Sequence, residues 1–176
     1  MTDTVAIAEL SAADLAARLP EFGALLQACV EDGASIGFVL PFAMEAAQTY
    51  WRDKVLPGLR GGGLVLLAAE QGGRIVGTVQ LDHDTFPNQR HRAELRKLLV
   101  HPDCRRRGIA RRLVAEIERR ATKLGRSLIT LDTRTGDTAE PLYASLGYQV
   151  AGIIPDYCRD ARSDRLDPTT VMYKPL

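Results

Sequence analysis

The chain has 176 residues, of which 45% are hydrophobic and 26% are charged, and its 23 Lys and Arg residues nearly balance 22 Asp and Glu residues. This composition excludes a disordered or collagen-like chain, and the length favours one domain over residues 1–176. The charge is unevenly distributed, because residues 90–126 contain 13 basic and only 4 acidic side chains. One basic segment predicts a local anionic ligand and argues against general attraction to nucleic acid or a membrane.

Membrane insertion and metal binding are not expected from the sequence. No stretch approaches the roughly 18 apolar residues that a membrane span requires, and the first residues lack the pattern of a secretory signal. Cys29, Cys104 and Cys158 lie far apart, and neither they nor the three histidines have the spacing of a metal site. We therefore expect a cytoplasmic protein with no bound metal.

Patterns of apolar residues predict strands and helices in the first half of the chain. They are a strand over 5–9, a helix from Ser11 to Cys29, a second helix over 42–55, and strands over 64–69 and 75–81. The first strand alternates apolar and polar residues, and Ser11 is a candidate N-cap. Pro57 and Gly58 are expected to end the second helix, and the Gly72–Gly73 turn joins the next two strands as a hairpin.

The second half alternates strands and helices. The predicted elements are a strand over 93–100, a helix over 108–124, a strand over 127–132, a helix over 141–146, and strands over 149–154 and 169–173. The helix over 108–124 has the clearest pattern, because Ile109, Leu113 and Ile117 recur at helical spacing between arginines. Residues 155–168 are polar and are expected to form a mobile loop. The order of elements predicts an α/β fold with a mixed sheet and flanking helices.

The loop between the strand over 93–100 and the following helix carries Arg105, Arg106 and Arg107 immediately before Gly108. The first N–H groups of a helix have no intrahelical acceptor, and the helix dipole is positive at this end. Glycine allows a ligand to approach closely, and arginine donates charge-assisted hydrogen bonds to phosphate oxygens. The segment therefore predicts a site for a phosphate-bearing ligand.

Two blocks of the sequence resemble the signature of the GNAT superfamily of acetyl-CoA-dependent N-acetyltransferases. In the first block, Arg105, Gly108 and Ala110 occupy the fixed positions of Q/R-x-x-G-x-G/A between a strand and a long helix. The second block resembles A-x-x-L-Y-x-x-x-G-F/Y and contains Ala139, Leu142, Tyr143, Leu146, Gly147 and Tyr148. The resemblance implies a mostly antiparallel, mixed sheet of about seven strands that is splayed in the middle. Segments 28–35, 75–81, 131–133, 135–137 and 169–174 are similar to the tabtoxin-resistance type within this family.

The resemblance also implies that acetyl-CoA lies between the strands over 98–100 and 127–132. Backbone groups of the first strand would pair with the pantetheine arm, and the arginine loop would hold the pyrophosphate. The implied cofactor-binding residues are Leu98, Leu99, Val100, Arg105, Arg106, Arg107, Gly108, Ile109, Ala110, Arg111 and Asp137. Asp137 is included because Gly136 stands where many members of the family have Asn.

Acetyl transfer to an amine requires an uncharged nucleophile, and an alkyl amine has a pKa near 10.4, so a base must first remove a proton. Glu94 lies where several members of the family carry this base, and Asp132 ends the neighbouring strand. We place Glu94 first and Asp132 second. Tyr143 matches the family's position for the acid that protonates the departing thiolate. A structural role is the alternative for each of the three.

The leading interpretation is an acetyltransferase for the amine or hydroxyl of a small molecule. The tabtoxin-resistance resemblance favours an amino-acid-like or β-lactam toxin as acceptor. Acetylation of a protein lysine or N-terminus is a second interpretation, and a non-catalytic acyl-CoA sensor is a third. A nucleic-acid-binding module is disfavoured, because residues 90–126 contain no aromatic residue that stacks on bases. A second copy of the chain is a candidate partner.

Overall fold

A computed structural model describes residues 4–176, which form a seven-stranded sheet with helices on both faces. The strands are β1 (Ala6–Leu10), β2 (Leu64–Gln71), β3 (Arg74–Asp82), β4 (Arg92–Val100), β5 (Leu128–Arg134), β6 (Gln149–Arg159) and β7 (Leu166–Pro175). The helices are α1 (Ala12–Ala17), α2 (Leu19–Glu31), α3 (Met44–Tyr50), α4 (Leu56–Arg60), α5 (Ile109–Lys123) and α6 (Ala139–Ser145), with a π-helical turn over Trp51–Val55. The predicted fold class is confirmed.

The sheet is splayed in its middle, between β4 and β5. Its order is β1-β2-β3-β4-β5-β7-β6, and β4 with β5 is the one parallel pair among the described strands. They pair over three residues, 92–94 with 128–130, and then separate. Beyond this point β4 follows β3 through a bulge in which Lys97 and Leu98 both oppose Val79. A bulge bends its strand, so β4 turns away from β5 and a gap opens.

Side chains alternate between the two faces of the sheet and form two apolar cores. Under α5 and α6, Leu113 and Ile117 of α5 pack among side chains from the middle strands. Under α1–α4, Phe22 and Trp51 are fully buried, with ring centroids 4.8 Å apart. Because helices cover both faces at β2 and β3, consecutive residues of these strands are buried instead of alternate ones.

One of the two edge strands, β6, has nearly all of its residues exposed, and Cys158 is the half-buried exception. Its exposed apolar side chains include Val150, Ile153 and Ile154. The pairing with β7 is irregular between Ile154 and Cys158, where Pro155 and Asp156 lie and Asp156 has a φ of 50°. This strand is therefore bent in its middle and accessible along its length.

The predicted helix from Ser11 to Cys29 is two helices, α1 and α2, which meet at Arg18. Ser11 is the N-cap of the first, and it exchanges hydrogen bonds with Asp14 in a capping box. Pro20 has no N–H to donate, and its ring would clash with the carbonyl group four residues earlier in a continuous helix. The break therefore follows from the proline, which the periodic pattern of apolar residues concealed.

The second predicted helix, over 42–55, is also longer and less regular than expected. It begins at Met44, passes through the π-helical turn and continues to Arg60. Pro57 does not end it, because this proline lies in the first turn of α4, where no N–H is required. The predicted end at Pro57 and Gly58 was wrong for this reason.

The expected mobile loop over 155–168 is instead most of a β-hairpin. Strand β6 extends to Arg159 and β7 begins at Leu166, so that a short turn is left between them. The tip is attached to the segment after α2, because the Leu40 N–H donates to the Ala161 carbonyl oxygen at 2.8 Å. The polar composition of this segment serves ion pairs within the hairpin, and composition alone did not distinguish these from a solvated loop.

Substitution of Gly77 on β3 tests the packing between the sheet and α5. A Cβ at this position would lie 2.9 Å from the Leu99 carbonyl oxygen and 3.2 Å from the Leu113 side chain. Because the nearest atom belongs to the backbone, we expect Gly77→Ala to lose about 1–3 kcal/mol of unfolding free energy in urea denaturation. Gly152→Ala is the control, since nothing lies within 4 Å of its Cβ. Equal stability of the two variants would contradict this packing.

Candidate active site

The gap between β4 and β5 opens into a cleft with a volume of about 1270 Å³. Its walls come from β4 and the loop after it, the end of β5, α6, the segment between α2 and α3, and the β6–β7 hairpin. A concave site of this kind, at an interruption of a sheet, is a common place for a small-molecule ligand.

The loop after β4 forms a cradle of backbone N–H groups at the start of α5. Gly108 is the N-cap and has a left-handed φ of 76°, and Arg106 also has a positive φ of 59°. The first hydrogen bond of the helix runs from the Arg112 N–H to the Gly108 carbonyl oxygen at 3.1 Å. The N–H groups of the first turn therefore have no acceptor within the helix. Gly108, Ile109 and Ala110, three of the residues predicted to bind the cofactor, all line the cleft.

Arg105 connects this cradle to the end of α2. Its guanidinium forms an ion pair with Asp32, and its Nε donates to the Val100 carbonyl oxygen at 3.2 Å. The Cys29 thiol donates to the same oxygen at 3.6 Å. Burial raises the pKa of Cys29 to about 11, so this thiol is protonated at neutral pH. Arg105 thus lies on the cleft wall with its charge already paired.

The other predicted arginines occupy different positions. Arg106 and Arg111 lie on the cleft wall, where Arg111 also donates to the Ser145 Oγ at 2.7 Å. Arg107 lies outside the wall and donates to the Gln71 Oε1 at 3.0 Å. The structure therefore brings Arg105, Arg106 and Arg111 together at the cradle and places Arg107 on the side of β2.

The edge of β4 faces the gap over the predicted cofactor-binding segment. Leu98, Leu99 and Val100 line the cleft, while the Leu99 side chain is buried under α1–α4. Within residues 4–176, no strand pairs with this edge after residue 94. Its backbone groups are therefore placed to pair with an extended ligand, as an added strand would.

Tyr143 reaches the cleft wall from α6. It is 5% exposed and packs edge-on against Tyr148, with ring centroids 5.4 Å apart. Burial raises the pKa of Tyr143 above its usual value, and the negative charge of Asp132 adds to this shift. The side chain is therefore a phenol and a proton donor at neutral pH.

Glu94 and Asp132 lie on either side of the gap and line the cleft. The apolar residues that alternate with them along the strands belong to the core under α5, so both carboxylates lie on the opposite face of the sheet. The Glu94 Oε2 accepts a hydrogen bond from the Arg96 Nη2 at 2.8 Å, and Arg96 also pairs with Asp82 at 2.7 Å. The Asp132 Oδ2 accepts a hydrogen bond from the Thr169 Oγ1 at 3.2 Å. The carboxylates thus face the gap from one side of the sheet, and Tyr143 approaches from the other.

Arg134, at the end of β5, joins three segments of the cleft wall. Its Nη2 donates to the Asp137 Oδ2 at 2.9 Å and to the Gly33 carbonyl oxygen at 3.3 Å. Its Nη1 donates to the Asp160 Oδ2 at 3.3 Å and lies 3.5 Å from the Asp167 Oδ2. Asp137, a predicted cofactor contact, therefore lies on the wall with its charge paired. One guanidinium connects the loop before α6, the segment after α2 and the β6–β7 hairpin.

Sequence reasoning did not identify Lys97 on the cleft wall. Its Nζ donates to the Ile36 carbonyl oxygen at 2.8 Å and lies 5.9 and 5.6 Å from the ring centroids of Phe38 and Tyr50. One signal was present in the sequence. Arg96 and Lys97 are consecutive charged residues in an apolar strand, which breaks the alternation and indicates a bulge.

Residues 4–176 contain neither a metal-binding cluster nor a helix able to span a membrane. In this range no three His, Cys, Asp or Glu side chains are grouped as a metal ion would require. None of the helices in the described part of the chain combines the length and apolar character needed to cross a membrane.

Comparison with other sequences identifies relatives of this chain. A sequence model for the Acetyltransferase (GNAT) family matches residues 37–148. An uncharacterised N-acetyltransferase of the hisH–hisA intergenic region of Azospirillum brasilense is 32% identical over 114 residues. The alignment covers 64% of this chain and 66% of that protein, so the chain spans just under two thirds of this curated relative.

Comparison with solved structures identifies similar folds. The ribosomal-protein-alanine N-acetyltransferase from Brucella melitensis has a TM-score of 0.77 at 25% identity, and the alignment covers 97% of this chain and 99% of that chain. The protein yncA from Salmonella typhimurium, solved with its cofactor acetyl-CoA, has a TM-score of 0.75 at 20% identity, with 98% and 94% covered. At this lower identity the likeness shows the fold alone.

The Arg134 contacts predict a coupling between the hairpin and the cleft wall. We expect Arg134→Met to lower Tm by about 3–8 °C, because carboxylates of the hairpin lose a hydrogen-bonding cation. Amide hydrogen exchange should rise at residues 33–37 and 160–165. Arg159→Met is the matched control, since its pair with Asp164 is exposed, at 53% and 91%, and should leave Tm nearly unchanged. Unaltered exchange in the Arg134 variant would contradict the coupling.

Proposed function

The chain belongs to the GNAT acetyltransferase family, and we propose that it transfers the acetyl group of acetyl-CoA to the amine of a small molecule. One arrangement carries the proposal: the N–H cradle of α5 and the unpaired edge of β4 meet at the cleft that Tyr143, Glu94 and Asp132 line. The acetyl-CoA that accompanies the Salmonella protein supports the choice of donor.

The residues of the cleft fit acetyl-CoA in chemistry. The N–H groups of the first turn of α5, together with Arg106 and Arg111, offer donors for the pyrophosphate oxygens. The β4 edge over Leu98, Leu99 and Val100 offers backbone groups for the amides of the pantetheine arm. Acetyl-CoA supplies an activated thioester, and the chain itself has to bind the acceptor and move two protons.

A carboxylate on the α1–α4 face removes the proton of the acceptor amine. Between the two candidates, Asp132 is the better placed. Glu94 is already bonded to the Arg96 guanidinium, whereas the partner of Asp132 within residues 4–176 is the Thr169 hydroxyl group. Our proposal therefore reverses the order that the sequence favoured, with Asp132 as the base and Glu94 as part of the acceptor pocket.

Tyr143 protonates the departing thiolate from the other face of the sheet. Because burial raises its pKa, the phenol holds its proton at neutral pH and has it available when the C–S bond breaks. General acid and general base then act from opposite sides of the gap.

Two acceptor classes follow from different observations. Resemblance to the tabtoxin-resistance type favours an amino-acid-like molecule or a β-lactam toxin. The Brucella structure at 25% identity acts, by its name, on ribosomal-protein alanine, and supports a protein N-terminus as a second candidate. Thiol release with a panel of small amines and an alanine-terminated peptide separates these classes. A sensor would bind acetyl-CoA in calorimetry without releasing thiol, and absence of binding would overturn the proposal.

Substitution of the proposed acid and base tests the chemistry. We expect Tyr143→Phe and Asp132→Asn each to lower kcat by about 100-fold or more, the usual contribution of a positioned acid or base. Glu94→Gln should act mainly on KM for the acceptor. Tyr173→Phe is the control, because this tyrosine bonds to Gln149 and lies outside the cleft wall. Near-normal kcat in both the Tyr143 and Asp132 variants would refute these roles.

A further inference from the structure

Lys97 is a cation on the cleft wall for which acetyl transfer itself has no use. One N–H of Lys97 Nζ donates a hydrogen bond to the Ile36 carbonyl oxygen, and Nζ also lies near the ring centroids of Phe38 (5.9 Å) and Tyr50 (5.6 Å). An ammonium group has three N–H donors, so two remain. Lys97 takes part in none of the ion pairs that are seen among residues 4–176, although Asp132 and Glu94 act on its charge.

The backbone is distorted at this position, and the distortion places the side chain. Lys97 has a φ of 48°, a backbone conformation that residues other than glycine rarely adopt. The Thr78 Oγ1 donates a hydrogen bond to the Lys97 carbonyl oxygen at 3.4 Å. In a regular strand Lys97 would alternate with Arg96 and point toward the core under α5. The bulge instead brings it to the face where Asp132 lies.

The charges near Lys97 leave it short of a counter-ion. Arg96, the adjacent cation, is neutralised by Asp82 at 2.7 Å and Glu94 at 2.8 Å. Burial lowers the pKa of Lys97 and the Arg96 charge lowers it further, while Asp132 and Glu94 act in the opposite direction at longer range. A cation removed from water without a paired anion is costly, and an anionic ligand group would compensate it.

We propose that Lys97 binds an anionic group of the acceptor, which is therefore an amine that also carries a carboxylate. The inference rests on the proposed function and adds to it a residue that selects the acceptor. Asp132 and Lys97 lie on one face of the sheet at the gap, so the amine of such a molecule meets the carboxylate and its acid group meets the ammonium. Amines that carry no carboxylate lack the second contact and are poorer acceptors.

Matched pairs of acceptors test this inference. The probes are L-amino acids and their carboxamides, which keep the α-amine and lose the negative charge. We expect the wild-type protein to prefer the amino acid in kcat/KM, and Lys97→Met to lower kcat/KM for the amino acid by about 10- to 100-fold, as loss of a charged hydrogen bond does. The value for the carboxamide should change little. Lys97→Arg retains the charge and should retain part of the preference.

The controls separate acceptor binding from other effects. Lys123→Met removes an exposed lysine that lies outside the cleft wall and should leave the preference intact. Calorimetry with acetyl-CoA on each variant reports whether the donor site is preserved.

Three outcomes would contradict the inference. If Lys97→Met lowers kcat/KM equally for both acceptors of a pair, Lys97 holds the Ile36 segment only, and the inference is overturned. If amines without a carboxylate are acetylated and carboxylate-bearing ones are not, the inference fails while the proposed function stands. If wild-type protein does not bind acetyl-CoA, the proposed function fails, and the inference with it.

Discussion

The parallel pairing of β4 with β5 lasts for three residues, and the cleft exists because it stops there. Each strand keeps its other neighbour: β4 remains paired with β3, and β5 pairs with β7 along its whole length. Both also contribute apolar residues to the core under α5, including Leu95 and Ile129, so they are anchored on one side while they diverge on the other. Backbone groups at the edge of the gap need hydrogen-bonding partners, and a ligand with amide groups can supply them.

Fewer arginines of the basic segment, residues 90–126, are available to bind an anion than its composition suggests. Arg96, Arg105 and Arg120 each form ion pairs with carboxylates, so much of the excess positive charge is matched across the fold. Arg134 does the same from the opposite wall, where it neutralises Asp137 beside the cleft. Arg106 and Arg111 lie on the cleft wall at the start of α5, where the backbone N–H groups of the first turn add to their positive charge.

Local patterns predicted the elements, and long-range contacts decided the details. The spacing of apolar residues in α5 and the Gly72–Gly73 turn determine their structures within a few residues, so the sequence predicted them correctly. The arginine loop was predicted for the same reason. Arg134 gains its role from groups up to 101 residues away, such as the Gly33 carbonyl, and no local pattern reveals this. Lys97 depends on a bulge and on rings from another segment, so its position required the folded chain.

The irregular middle of β6 affects how the protein behaves in concentrated solution. An exposed edge strand is a template with which an identical strand of another molecule can pair. Edge strands that are long and apolar therefore promote aggregation. Pro155 has no N–H group to donate. The irregular pairing of β6 with β7 after Ile154 also takes the neighbouring backbone N–H and C=O groups out of the regular strand geometry. Regular donors and acceptors are thereby limited to short stretches at either end. The strand can expose Val150 and Ile153 to water without offering a continuous edge for fibre growth.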